Sequence, residues 1–270
     1  MNLVIYSDYA STLDLSAKQS GVTIPVLGGY AGLSPDWRTL GDRWQAVLAK
    51  NHVAAFDFAE FAGSVETLDD STSSYYLWCP GRRQDFLLEL VALAGDFVRS
   101  GGFPFGCTFQ RPEPFAGGEF NHQLQGVEAA TGPTTETRPA YSGLFRNFFA
   151  TFALELNSRR VTFPGSVSFV FSRNDNDPNY ARAATEQFEL FAKLDSRVQG
   201  IAFEDKTNCP PLQLAGLVVH RFHQLWENEF RSTEPQRMRA LQYALWGDFK
   251  EYDDFKNHVR RILGRTPDAQ

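Results

Sequence analysis

The sequence predicts an α/β protein built on a mixed sheet. Short apolar runs of strand length alternate with segments whose apolar residues recur at helical spacing. The first two runs, Leu3 to Tyr6 and Val22 to Leu33, precede that alternation as adjacent strands, which makes the sheet mixed rather than wholly parallel. The chain has 270 residues, of which 43% are hydrophobic, enough for a sizeable core. Its 24 phenylalanines make that core rich in aromatic rings.

The elements follow in order. Leu3 to Tyr6 is a strand with Asp8 at its C-terminal tip. In the second strand, Gly28 and Gly29 mark a bulge or a close approach of backbones. The spacing of Gly28, Gly29 and Gly32 does not fit a dinucleotide loop. Ser34-Pro35 opens a helix, with Ser34 as N-cap, and Trp37, Leu40, Trp44, Val47 and Leu48 line its apolar face. Val53 to Phe56 reads as a short strand ending at Asp57. Residues 64–80 are rich in Ser, Thr and Asp and read as a loop or short helix, and Arg82 to Arg99 as an amphipathic helix. Phe103 to Gln110 is a strand, and Pro112 to Pro139 an irregular excursion. Tyr141 to Leu156 is the clearest helix, with Leu144, Phe145, Phe148, Phe149 and Phe152 on one core-facing side. A strand from Val167 to Phe171, a turn from Asn174 to Pro178 and a helix from Tyr180 to Leu194 follow. The last strand is Gln199 to Phe203, and a helix runs from Pro211 to Phe230. Residues 235–247 and 251–263 form two closing helices.

Several function classes lack a starting residue. There is no GxSxG elbow, no HExxH and no phosphate loop. Cys79, Cys107 and Cys209 are odd in number and far apart, which predicts reduced thiols. Asp8 and Asp14 interrupt any early apolar run, and no run reaches the length of a membrane span, so a soluble cytoplasmic protein with no membrane partner is expected. The net charge of -6 and pI near 5.4 do not favour nucleic acid as a partner, although they leave room for a local basic groove. A protein partner stays open, as does the oligomeric state.

The acids at strand ends carry the remaining chemistry. Asp and Glu converging from strand tips can hold Mg²⁺ or Mn²⁺, which activates water and stabilises a leaving oxygen. Asp8 leads this set. Asp57 has Glu60 one turn on. Glu204 and Asp205 close the last strand, and strand alternation lets at most one of them face a shared site. Asp175 and Asp177 lie in DNDP and read as turn residues. On the helix after the last strand, Gln213, Gly216, His220 and His223 share one face, which makes His220 a candidate acid/base group or replacement ligand.

With YSDYAS at 6–11, VLGGYAGL at 26–33, Trp37 and Trp44 on the next helix, and FEDKTNCPPLQLAGL at 203–217, the chain resembles a bacterial ribonuclease-H-like family catalogued as domain of unknown function 3800. The resemblance covers roughly residues 3–230. It implies a ribonuclease-H-like mixed sheet flanked by helices over 1–230, with 231–270 as a C-terminal helical extension packed on the same domain. It also implies a carboxylate site for one or two Mg²⁺ or Mn²⁺ ions, in which Asp8 takes the first position and Asp205 that of an Asp-Ser turn. The departures are specific. Tyr9 replaces a glutamate, Lys206 replaces the serine of the turn, Ser172 follows a strand that often ends on an acid, and Gly216 stands where the family's helix carries aspartate. Two readings follow. In the favoured one the chain is a degenerate member, inactive or weakly active, serving as a binding or scaffold protein. In the other it is a divalent-metal-dependent nuclease or phosphodiesterase using Asp8, Asp57 and Asp205, aided by Glu204 and His220.

Overall fold

The computed structural model describes residues 2–10, 26–66, 72–108, 139–158, 165–175 and 177–230. Its centre is a five-stranded mixed sheet. Strands β1 (Asn2–Ala10), β2 (Val26–Leu33) and β3 (Phe103–Thr108) form an antiparallel set. Strands β4 (Ser166–Ser172) and β5 (Val198–Glu204) add in parallel on the other side of β1. The spatial order is β3-β2-β1-β4-β5, so β1 is the central strand. The α/β class and the mixed sheet are as the sequence predicts.

Both faces of β1 are covered, which is why its sequence reads as an unbroken apolar run rather than an alternation. On one face Leu3 and Ile5 pack with Phe169 and Phe171 of β4 against α4 (Pro139–Ser158) and α5 (Pro178–Leu194). Leu144, Phe145, Phe148, Phe149 and Phe152 supply that helical layer, as expected from their spacing. Their rings meet those of Phe169 and Phe171 mostly edge to face at centroid distances of 5.0–6.3 Å, the arrangement that ring quadrupoles favour.

The other face is built by α1 (Ser34–Asn51), α2 (Phe58–Glu66), α3 (Pro80–Arg99) and α6 (Pro210–Phe230). Trp37, Leu40, Trp44 and Leu48 of α1 are buried there with Phe86, Leu90 and Phe97 of α3. The Trp37 indole donates to the Val4 carbonyl of β1 at 2.9 Å, which ties α1 to the sheet. Gly29 is a close-approach glycine. It pairs with Ser7 in regular register, and a Cβ at this position would lie 1.8 Å from the Tyr6 carbonyl oxygen.

Local details differ from the sequence reading. Strand β1 runs on to Ala10, so Asp8 lies inside a strand, opposite Gly28, and not at a tip. Val53 to Phe56 is not a strand: the chain turns there after α1, with His52 in a left-handed conformation at φ 59°, and the segment joins none of the five strands of the sheet. Ser34 is the first helical residue, not the N-cap. Leu33 holds the cap position without a side-chain bond, and the Ser34 hydroxyl donates to the Asn2 carbonyl at 3.2 Å. Pro80, not Arg82, begins α3. Asp177 does more than turn the chain, since its carboxylate accepts from the Asn179 N–H at 2.9 Å and caps α5. The excursion at 112–138 and the closing helices at 235–247 and 251–263 lie outside the described residues, as does His223's side chain. Among the described residues no helix is long and apolar enough to cross a membrane.

Candidate functional site

Alternation along β1 puts Val4, Tyr6 and Asp8 on the face covered by α6. Asp8 is only 3% exposed, so its carboxylate needs a partner. The partner is Lys206, which follows Asp205 just beyond β5 and opens a short 3-10 turn (Lys206–Asn208). The Lys206 Nζ donates to Asp8 Oδ2 at 3.2 Å. It also lies 2.8 Å from Asp57 Oδ2. One ammonium thus joins two carboxylates that are 49 residues apart in sequence, one from the central strand and one from the start of α2.

Asp57 is held on both oxygens. Its Oδ1 accepts from the Glu60 N–H at 2.9 Å and so caps the first turn of α2, while Oδ2 takes Lys206. Burial alone would raise its pKa. The Lys206 ammonium, the Glu60 N–H and the charge of His220 outweigh that and hold the carboxyl below its usual range. Glu60 itself turns away, accepting from the Ser73 hydroxyl at 3.0 Å and the Ser74 N–H at 2.7 Å. Burial works against the Lys206 charge, but Asp8 and Asp57 together push its pKa above the ordinary lysine value of 10.5.

Helix α6 approaches this cluster at Gly216. A Cβ built there would lie 2.7 Å from Asp8 Oδ2 and 3.6 Å from both Cδ and Nζ of Lys206. The missing side chain leaves room for the Asp8 carboxylate, and the lysine stem lies at contact distance from the same spot. Gln213, one turn earlier, fixes the surroundings. Its Oε1 accepts from the Trp44 indole at 2.9 Å and from the Phe56 N–H at 3.0 Å. Its Nε2 donates to the carbonyls of Lys206 at 3.1 Å and Thr207 at 3.2 Å. This amide is 1% exposed and links α1, the residue before Asp57 and the turn that carries Lys206.

Asp205 and Glu204 do not join the pair, whereas His220 acts on Asp57 through its charge. Asp205 is exposed and its Oδ1 accepts from the Thr207 N–H at 2.8 Å and the Thr207 hydroxyl at 2.7 Å, which caps the 3-10 turn. Those two bonds, the hydroxyl's first, hold its carboxyl below the usual range. Glu204 is the exposed last residue of β5, and its charge acts on Tyr6, whose phenol burial chiefly pushes up to about 12. His220 stacks on Phe58 at 6.0 Å, one turn beyond Gly216. Of the four expected metal ligands, therefore, Asp8 and Asp57 are brought together, and Glu204 and Asp205 are not. Among the described residues no three of His, Cys, Asp and Glu are grouped as metal ligands would be.

Lys206 is the residue the sequence reading passed over as a ligand partner. It was visible only as a departure, a lysine where the resembled family has serine. The signal that finds it is a basic residue in the turn after a strand, together with a glycine inside the facing helix, where a third acid would otherwise be expected.

A hard divalent ion takes about six oxygen ligands with net negative charge around it. The cluster offers two carboxylates already bridged by a cation, and a backbone position with no side chain. The residues present do not fit Mg²⁺ or Mn²⁺ in this arrangement. A lysine kept charged is also no nucleophile. What the cluster does is join β1, α2 and the turn after β5 through one charge.

Compared with known proteins, the chain matches no family model and no curated protein.

Proposed function

We propose that this protein is a degenerate ribonuclease-H-like protein that acts by binding or scaffolding rather than by metal-dependent hydrolysis. The observation that carries the reading is the incomplete carboxylate set. Asp8 and Asp57 meet, but the helix that faces them presents Gly216 where a third acid would have to stand. The antiparallel β1–β3 set followed by parallel β4 and β5, with the first acid on the central strand, supports the ribonuclease-H-like part of the reading. The two departures at 206 and 216 fall on one spot, which supports a single loss of function at that spot over scattered drift.

The test is cleavage of single- and double-stranded DNA and RNA in Mg²⁺ and in Mn²⁺, with Asp8→Asn as control. The expected result is no cleavage that the substitution removes. Cleavage by the parent protein that Asp8→Asn abolishes would establish the other reading, a metal-dependent phosphodiesterase, and end this one.

A further inference from the structure

We infer that Lys206 is a protein-borne counter-cation that closes a latent divalent-cation site, so that the Asp8–Asp57 pair can take Mn²⁺ or Mg²⁺ only when the lysine is removed. The inference deepens the degenerate reading and rests on it. It names what replaced the ion.

Three observations converge. First, the ammonium stands between the two carboxylates, 3.2 Å from one and 2.8 Å from the other. The Asp8 carboxylate is almost out of water, where an unpaired charge is costly. Lys206 supplies the pairing cation from the chain itself. Second, Gly216 of the facing helix lies against the pair: a Cβ there would come within 2.7 Å of Asp8 Oδ2, while the lysine stem and ammonium stay at a contact distance of 3.6 Å. The glycine therefore leaves room for the Asp8 carboxylate that the lysine meets, and the helix adds no side chain of its own at this position. Third, the lysine is anchored at its backbone as well. Gln213 binds the carbonyls of Lys206 and Thr207, and Asp205 caps the same turn. The ammonium is therefore placed by a built turn and does not merely lie across the surface.

The consequence is exchange. A folded chain with Lys206 has its counter-charge permanently, and a divalent ion would have to displace a tethered cation to bind. Without the lysine, two carboxylates face each other with nothing between them, and an added ion stabilises the folded state by binding it alone.

The test follows thermal unfolding of the parent, Lys206→Ser and Lys206→Ser/Asp8→Asn, each in chelator and in a MnCl₂ series. The parent should melt at the same temperature in both. Lys206→Ser should melt lower than the parent in chelator and rise with Mn²⁺. Once Mn²⁺ exceeds the dissociation constant, each tenfold increase should raise the folded-to-unfolded ratio about tenfold. Adding Asp8→Asn should remove that rise. The inference is overturned if the parent gains as much from Mn²⁺ as Lys206→Ser does. It is equally overturned if Lys206→Ser is as stable as the parent, or if its loss is not recovered by Mn²⁺.

Should Lys206→Ser not be recovered folded, refolding it in chelator and in MnCl₂ decides. Recovery in MnCl₂ alone, with the parent's far-ultraviolet circular dichroism, supports the inference, and failure to recover it in MnCl₂ overturns the inference. Cleavage by the parent would defeat the functional reading separately, and these melting curves would still decide the lysine's role.

Discussion

A salt bridge at a surface contributes little, because water and salt screen it. The Lys206 pair differs in burial: the side chains are 22% exposed for Lys206 and 5% for Asp8. Removing one partner there leaves an uncompensated charge, which is the costly case. The pH dependence follows from the two shifted groups. Asp57 has a depressed pKa, so its contribution is present above the unfolded value of 3.8 and is lost as pH falls through the lower folded value. Lys206 has a raised pKa, so its contribution is full below 10.5 and is lost as pH rises through its higher folded value. The stability difference between the parent and Lys206→Met should be largest between these limits and shrink beyond either one. Urea unfolding across pH measures it, and a difference as large in acid or strong alkali as at neutral pH would refute the assignment. Gln213 makes a separate prediction. Gln213→Ala strips partners from the buried Trp44 indole and Phe56 N–H, whose loss costs about 1–3 kcal/mol each, and from two part-buried carbonyls, which cost less. Water can satisfy some of them in the space left, so a total near 3 kcal/mol is expected in denaturant unfolding. A loss under about 1 kcal/mol would mean that the amide is not a hub.

At the scale of elements, the turn after β5 sets where the charge sits. Asp205 was expected to face a metal, but its carboxylate closes the 3-10 turn on Thr207 instead. Asp205→Asn should therefore loosen the turn and lower the melting temperature slightly, with the same small shift in chelator and in Mn²⁺. A shift that depends on Mn²⁺ would restore Asp205 as a ligand. Sequence periodicity revealed the helices well, since each buries one broad apolar face: Trp37, Leu40 and Trp44 on α1, and Leu144, Phe148 and Phe152 on α4. It located the strands but not their ends. Asp8 lies inside β1 because pairing with Gly28 continues past the apolar run, and no local property of Ser7-Asp8-Tyr9 reports that pairing. Val53 to Phe56 has strand composition, yet Val53 and Phe56 are buried by helices and make no ladder. The site was half legible for the same reason. Asp8 and Asp57 stood out as acids after apolar runs, whereas the meeting of Lys206 with Gly216 depends on how α6 lies across β1.

At the scale of the molecule, the sheet separates an aromatic layer under α4 and α5 from a second layer under α1, α3 and α6. The cluster sits on the second side, joining β1, the start of α2 and the turn after β5, so its charges couple elements that are remote in sequence. The net charge of -6 bears on what the whole surface can attract. A nucleic-acid partner is held first by phosphate neutralisation, which needs a basic track and gives strong salt dependence. Arg82 is partly engaged, with its guanidinium 3.8 Å over the Trp78 ring, and Arg83 donates to the carbonyls of Tyr75 and Phe61. Arg83 is thereby committed to the fold, and Arg82 alone makes no track. Non-specific binding of labelled single- or double-stranded DNA at physiological salt should then be weaker than the usual range, with Kd above about 10⁻⁴ M. Fluorescence anisotropy measures it directly. Binding in the micromolar range that weakens steeply with salt would mean that a basic groove exists in spite of the acidic total. It would also turn the search for a partner from proteins back to nucleic acid.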